Sequence, residues 1–243
     1  MRKSRITLFC VALVMAHCCV ADPLPENLSV VKKELKQYHD DGAYEQGIAN
    51  VIQPAKKYLE KRLRPVPQQD RTKIAIVYDI DETALSNYPH MLANDFSGSW
   101  VYVAKALVLA DAPPILETLD LYHYAKTQGV SQFFITGRPE DLRSATIKNL
   151  TQAGYQHWQG LYLLPKGAHP ASVADFKASI RKMLEAQGYD VVLSLGDQCS
   201  DLEAAHDLPA PTQWIPLPKA CGTLEGDYED AAVKLPNPYY FLP

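Results

Sequence analysis

The rhythm of apolar and polar positions changes along the chain. Over residues 23–64 the sequence is polar, with Leu28, Val31, Leu35 and Tyr38, then Ile48, Ile52, Leu59 and Leu63, at helical spacings. This predicts two helices laid over a core and ended by Arg64-Pro65-Val66-Pro67. The texture then switches to Ile74-Ala75-Ile76-Val77-Tyr78, a continuous apolar run of the kind buried on both faces of a parallel sheet. Similar runs recur at 132–135, 161–164 and 191–195, with 213–217 a weaker fifth, and helical patterns at 114–126, 140–153 and 172–187 lie between them. Such alternation predicts an α/β fold, an open parallel sheet with helices on both faces joined by right-handed crossovers.

Ligands of such sheets bind beyond the carboxyl ends of the strands, so the residues just after each run carry the functional information. The first run ends in Asp79-Ile80-Asp81-Glu82-Thr83, the second in Thr136-Gly137-Arg138, and the fourth in Gly196-Asp197-Gln198-Cys199-Ser200-Asp201. Taken singly, an Asp after a strand is a common helix cap and Thr-Gly-Arg an ordinary turn. Together they bring four carboxylates, a hydroxyl and a glycine turn to one edge of one sheet.

Clustered carboxylates repel one another unless a cation joins them. A hard divalent ion with oxygen ligands resolves the conflict, and with few side-chain donors and room for water and a phosphate, Mg2+ is the natural choice. Asp79 and Asp197 would bind it directly, with the Asp81 carbonyl as a third ligand and Asp201 holding a bound water. Asp79 and Asp81, two apart on an extended segment, would both face the crevice. This suits covalent phosphoryl transfer, Asp79 attacking phosphorus and Asp81 serving as acid and then base. Thr136 and the amides after it, beginning with Gly137, would hold the phosphoryl oxygens, and a lysine must offset the transition-state charge. Lys166 and Lys177 are the candidates; Lys177 is preferred because it lies near the start of the helix leading into the fourth strand.

Composition narrows the partners. The formal charge is −4, from 24 bases and 28 acids; the first 21 residues hold three of those bases and no acid, so the remainder carries −7. This argues against a nucleic-acid polymer as partner. Residues 1–21 read as a signal peptide: a basic start, an apolar run too short for a stable membrane span, and Cys19-Val20-Ala21 before Asp22. The expectation is export to a periplasm or the exterior, with 22–243 as the mature domain. A lipid anchor is disfavoured because the residues before Cys18 and Cys19 match a lipobox poorly. Cys199 and Cys221 then remain, so a single disulfide is open to them. Asn27 and Asn149 head glycosylation sequons. The lone histidines His123, His157 and His206 read as surface or capping residues.

The motifs Asp79-x-Asp81-x-Thr83, Thr136-Gly137-Arg138, Lys177 and Gly196-Asp197-x-x-x-Asp201 resemble the four motifs of the haloacid dehalogenase superfamily. More narrowly, the run from Asp79 to Asn87, Phe176-Lys177, the fourth motif and the tail Leu235-Pro-Asn-Pro-Tyr-Tyr resemble the secreted acid phosphatases related to plant vegetative storage proteins and bacterial lipoprotein acid phosphatases. The resemblance implies a Rossmann-like core with a small helical cap inserted after the first strand, and a Mg2+-dependent phosphomonoesterase. Asp79 would be its nucleophile, Asp81 its acid/base, Thr136 and Lys177 its phosphate ligands, and Asp197 and Asp201 would stand around the metal. Cys199 departs from the aromatic residue expected there. The insertion at 86–110 is the only one able to act as a cap; Tyr88 and Trp100 are its candidate stacking residues for a nucleobase or phenolic ester, with core packing as the competing role. The substrate expected is a small phosphomonoester, nucleotides among them. A storage or binding protein on the same fold, or a phosphotransferase, is the alternative.

Overall fold

The computed structural model describes residues 26–168, 173–202 and 231–240. Strand β1 (Ile74–Tyr78) lies in the middle of a parallel sheet with β2 (Ser131–Pro139), β3 (Gly160–Leu164), β4 (Asp190–Gly196) and β5 (Ala231–Lys234), in the order β3-β2-β1-β4-β5. The chain thus builds outward from β1 to β3 on one side and then resumes at β4 on the other. The switch point of this topology falls between β1 and β4, where Tyr78 pairs with Leu195.

Helices α1 (Leu28–Asp40), α2 (Ala43–Leu63), α3 (Tyr88–Ala93), α4 (Trp100–Leu109), α5 (Leu116–Thr127), α6 (Arg143–Gln152) and α7 (Val173–Ala186) complete the described elements together with short 3-10 turns. The period of two in β1 divides the core. Ile74, Ile76 and Tyr78 join the larger cluster with residues of α2 and α5, whereas Ala75 and Val77 face Leu184, Phe176 and Ile180 of α7. Helix α2 buries Tyr44, Ile48, Ile52, Ala55, Leu59 and Leu63, one stripe at intervals of three and four.

The structure refines the sequence expectation in detail. Helix α1 buries no residue fully and reaches the core through the half-buried Tyr38, so α2 does most of the covering. Strand β2 runs on to Pro139 through a register shift after Thr136, because its far end still pairs with Leu164 of β3. The weak run at 213–217 lies outside the described residues, as do the leader and Cys221, and the strand beside β4 is β5. The segment 140–153 is a 3-10 turn (Glu140–Leu142) followed by α6 rather than one helix.

The insertion at 86–110 folds as α3 and α4. The Tyr88 ring is buried, stacked on His39 at 3.6 Å and packed on Tyr239 at 5.4 Å, whereas Trp100 is 62% exposed. Of the two candidate stacking residues, only Trp100 therefore offers a ring face to solvent. Asn149 is buried on α6 and donates its Nδ2 to the Ala112 carbonyl at 2.8 Å, while Asn27 caps α1 in the open. No described helix is long and apolar enough to cross a membrane.

Candidate active site

Strand pairing brings the motifs together before any side chain is considered. Because Tyr78 lies opposite Phe134 on β2 and Leu195 on β4, Asp79 stands one residue past the first pair and Thr136 two past it, with Gly196 and Asp197 on the other flank. The Asp79 amide fixes this edge by donating to the Leu195 carbonyl at 2.9 Å. Beyond Asp79 the chain turns instead of staying extended: the Ile80 carbonyl accepts from Thr83, Ala84 and Leu85. Asp81 is consequently aimed by its partners and not by strand alternation. Arg138 holds it with a fork, Nε to Oδ2 at 2.9 Å and Nη2 to Oδ1 at 2.7 Å, and Asn87 Nδ2 donates to Oδ1 at 2.8 Å. Burial alone would raise the Asp81 pKa, but Arg138 and Asn87 outweigh it and hold the carboxyl below its usual range.

Lys177 projects from α7 into the centre of the cluster. Its ammonium, 4% exposed, donates to Asp79 Oδ1 at 2.6 Å and also to Asp201 Oδ1. Burial works against this charge, yet Asp201 and Asp79 hold the lysine above its ordinary value. Lys166 is exposed and pairs with Asp141 at 3.4 Å. One turn after Lys177, Arg181 Nη1 donates to the Asp201 carbonyl at 2.8 Å, and the Gln198 amide donates to Asp201 Oδ2 at 2.9 Å. Gly196 makes the loop feasible, since a Cβ there would run into the Asp201 side chain. Thr136 is fully buried, its hydroxyl accepting from the Arg138 amide at 3.1 Å, and Gly137 packs close to Val173.

Asp79, Asp197 and Asp201 each offer an oxygen, all within 4.8 Å of one another, and all three residues are buried. Burial first, and then Asp201, push the Asp79 carboxyl well above its usual range against the pull of Lys177. Asp197 is pushed up to about 7 by burial and by Asp201 and Glu82, against Asn237 and Gln198. A group of hard oxygen donors with this excess of negative charge fits a divalent cation, which would relieve the repulsion. Asp201 has both oxygens engaged by Lys177 and Gln198. Asp197 has Oδ2 held by Gln198 Nε2 and, at 2.8 Å, by Asn237 Nδ2. That leaves Asp197 Oδ1, with Thr83 Oγ1 at 3.4 Å, turned to the cluster.

Several site residues carry no local sequence signal of a role. Lys234 of β5 donates to the carbonyls of Asp197 and Leu235, Asn237 to Asp197, and Tyr240 to Glu82. Glu82 in turn accepts from the Asn87 amide at 2.6 Å. The tail motif was visible as a resemblance only, and nothing in its composition says that it returns to the first motif.

The chain is similar to known proteins along most of its length. The family model described as HAD superfamily, subfamily IIIB (acid phosphatase) matches residues 21–243. The chain is 28% identical to acid phosphatase 1 of Solanum lycopersicum over 86% of its own length and 73% of that protein's. It is 30% identical to the stem 31 kDa glycoprotein of Glycine max (70% of this chain, 59% of the relative) and 28% identical to vegetative storage protein 2 of Arabidopsis thaliana (69% and 56%). It thus spans less than two thirds of these last two. The class C acid phosphatase of Bacillus anthracis superposes with a TM-score of 0.58 at 25% identity, covering 71% of each chain, and a structure of that enzyme holds tungstate.

Proposed function

The chain belongs to the acid phosphatases of HAD subfamily IIIB, and from that premise we propose that it is an exported, Mg2+-dependent hydrolase of small phosphomonoesters, nucleotides among them. The observation that carries the reading is Asp79 at the switch point of the sheet, with Lys177 bonded to it and Asp197 and Asp201 beside it. Asp79 attacks phosphorus, an Asp79 oxygen–phosphorus bond forming as the bond to the leaving oxygen breaks, and Asp81 gives that oxygen its proton. The Asp81 carboxylate then takes a proton from water, whose oxygen displaces Asp79 and releases inorganic phosphate. Lys177, Thr136 and the Gly137 amide are the groups assigned to the phosphoryl oxygens. Asp79, Asp197 and the Asp81 carbonyl would hold Mg2+, with Asp201 behind them; the ion, when bound, neutralises charge on the transferring phosphoryl group. An acid whose ionised form is favoured by Arg138 gives up its proton readily once it has one, which suits turnover at acidic pH.

Export rests on the leader pattern of residues 1–21. The nucleotide preference rests on the aromatic content of the 86–110 insertion, of which Trp100 and Tyr102 are exposed. The storage-protein relatives favour a second reading, a fold kept without turnover. Against it, both Asp79 and Asp81 are present and embedded in a complete bonding network, which a retired site has no reason to keep. The test is phosphate release from nucleotides, sugar phosphates and aryl phosphates with and without Mg2+. Asp79→Asn is expected to lose several powers of ten in rate with every substrate. Near-normal turnover by that variant would refute the mechanism.

A further inference from the structure

After β5 the chain returns across the carboxyl edge of the sheet. The Leu235 amide donates to the Gly196 carbonyl at 2.8 Å, and Asn237 Oδ1 accepts from the amides of Tyr239 and Tyr240 at 2.9 and 3.4 Å. This side-chain turn fixes the backbone so that the Tyr240 hydroxyl meets Glu82 Oε2. Glu82 has no solvent exposure and sits at φ 51°, in the left-handed region where a residue with a Cβ is held only by its surroundings. Its holders are the Asn87 amide at 2.6 Å, Asn87 Nδ2 at 3.3 Å and Tyr240. Asn87 Nδ2 is also the donor to Asp81 Oδ1.

We propose that Tyr240 is a positioning residue for the acid–base step, acting through Glu82 and Asn87 to decide which oxygen of Asp81 carries the transferred proton. The proposal rests on the assignment of Asp81 as acid and base made above. Lone-pair occupancy distinguishes the two oxygens of Asp81. Asp81 Oδ1 accepts both Asn87 Nδ2 and Arg138 Nη2, whereas among the described residues Oδ2 accepts Arg138 Nε alone. A proton on Oδ1 would have to displace a donor, so it resides on Oδ2; in the first step that O–H bond breaks as the leaving oxygen gains the proton. Asn87 can hold Oδ1 closed only while its amide is oriented, and Glu82, anchored by Tyr240, is what orients it. Without the phenol, Glu82 is anchored from one side only. The Asn87 amide can then turn away, Oδ1 opens to the proton, and the acid loses its single direction.

The test exploits leaving-group chemistry. 4-Nitrophenolate departs with little help from an acid, whereas an alkoxide needs its proton, so the ratio of kcat/KM for glycerol 2-phosphate to that for 4-nitrophenyl phosphate reads the acid step. A purely structural loss would lower both and leave the ratio alone. Asp81→Asn is expected to lower the ratio at least a hundredfold, and Tyr240→Phe, which removes one oxygen and keeps the ring, about tenfold. Asn87→Ser, which breaks the chain at its other end, should match Tyr240→Phe and serves if the tail variant folds poorly. If either variant, folded by circular dichroism, keeps the wild-type ratio within twofold while Asp81→Asn lowers it, the positioning role is overturned. If Asp81→Asn itself leaves the ratio unchanged, the acid–base assignment has failed, and the role of Tyr240 with it.

Discussion

Lys177→Met is the perturbation that most directly probes the site. Methionine keeps most of the side-chain volume and removes only the charge, leaving Asp79 and Asp201 facing each other, 6% and 3% exposed, without the ammonium between them. Removing one partner of a buried ion pair costs about 3–5 kcal/mol. With a urea dependence of about 2–3 kcal/mol per molar for a chain of this size, the midpoint should fall by about 1.5 M at pH 8 in EDTA. The deficit should depend on pH, and its sign follows from the carboxyls. Losing Lys177 removes an influence that lowers the Asp79 pKa, so the folded-state value, already raised by burial and by Asp201, climbs further. A carboxyl with a raised folded pKa stabilises the fold while protonated and loses that contribution as pH rises through the folded value. The variant should therefore be closer to wild type at pH 5 than at pH 8. Its kcat with saturating Mg2+ should fall by about 10²–10³, the scale of losing one preorganised charge donor. A midpoint loss under about 0.3 M at pH 8, or equal losses at both pH values, would mean that Lys177 is not the counter-charge of the cluster.

Further variants separate the remaining assignments. Asp197→Ala should lose more activity than Asp201→Ala, with excess Mg2+ restoring only the second; Asn237→Ala should weaken the rise in melting temperature on adding Mg2+, by about 10–100-fold in apparent affinity. Equal responses of the two Asp variants would place the ion elsewhere. For the insertion, Trp100→Ala should raise KM for a nucleotide while leaving an alkyl phosphate nearly unchanged, a stacking contact being worth about 1–3 kcal/mol. Tyr88→Ala should lower the melting temperature and change both substrates alike, and selective loss of the nucleotide by Tyr88→Ala would overturn the division between the two rings.

The strand-end motifs were legible because a parallel sheet forces it. An apolar run buried on both faces has one exit, and the residue at that exit faces the ligand edge, so Asp79, Thr136 and Asp197 could be placed from local pattern alone. What local pattern does not carry is side-chain direction after the strand ends. The turn at Ile80 breaks the alternation expected of Asp79 and Asp81, and the direction of Asp81 comes instead from Arg138, which the register shift after Thr136 delivers. Strand β5 spans only Ala231–Lys234 and exists by pairing with Leu193 to Gly196, a partner far away in sequence. Tyr88 and Trp100 look alike in composition, and only the presence of His39 and Tyr239 against one of them tells core from surface.

The two sequons have opposite fates if the chain is made in a host that glycosylates secreted proteins. A glycan is attached through the asparagine Nδ2, and the Nδ2 of Asn149 is spent on the Ala112 carbonyl in a closed interior. A sugar added there to the nascent chain would hold α6 off its neighbours, so recombinant yield from such a host should improve when Thr151 is replaced by alanine. Asn27 caps α1 through its Oδ1, which leaves the amide nitrogen in solvent. A glycan at that position is compatible with the helix cap, and heterogeneity of the purified product should map to that one site.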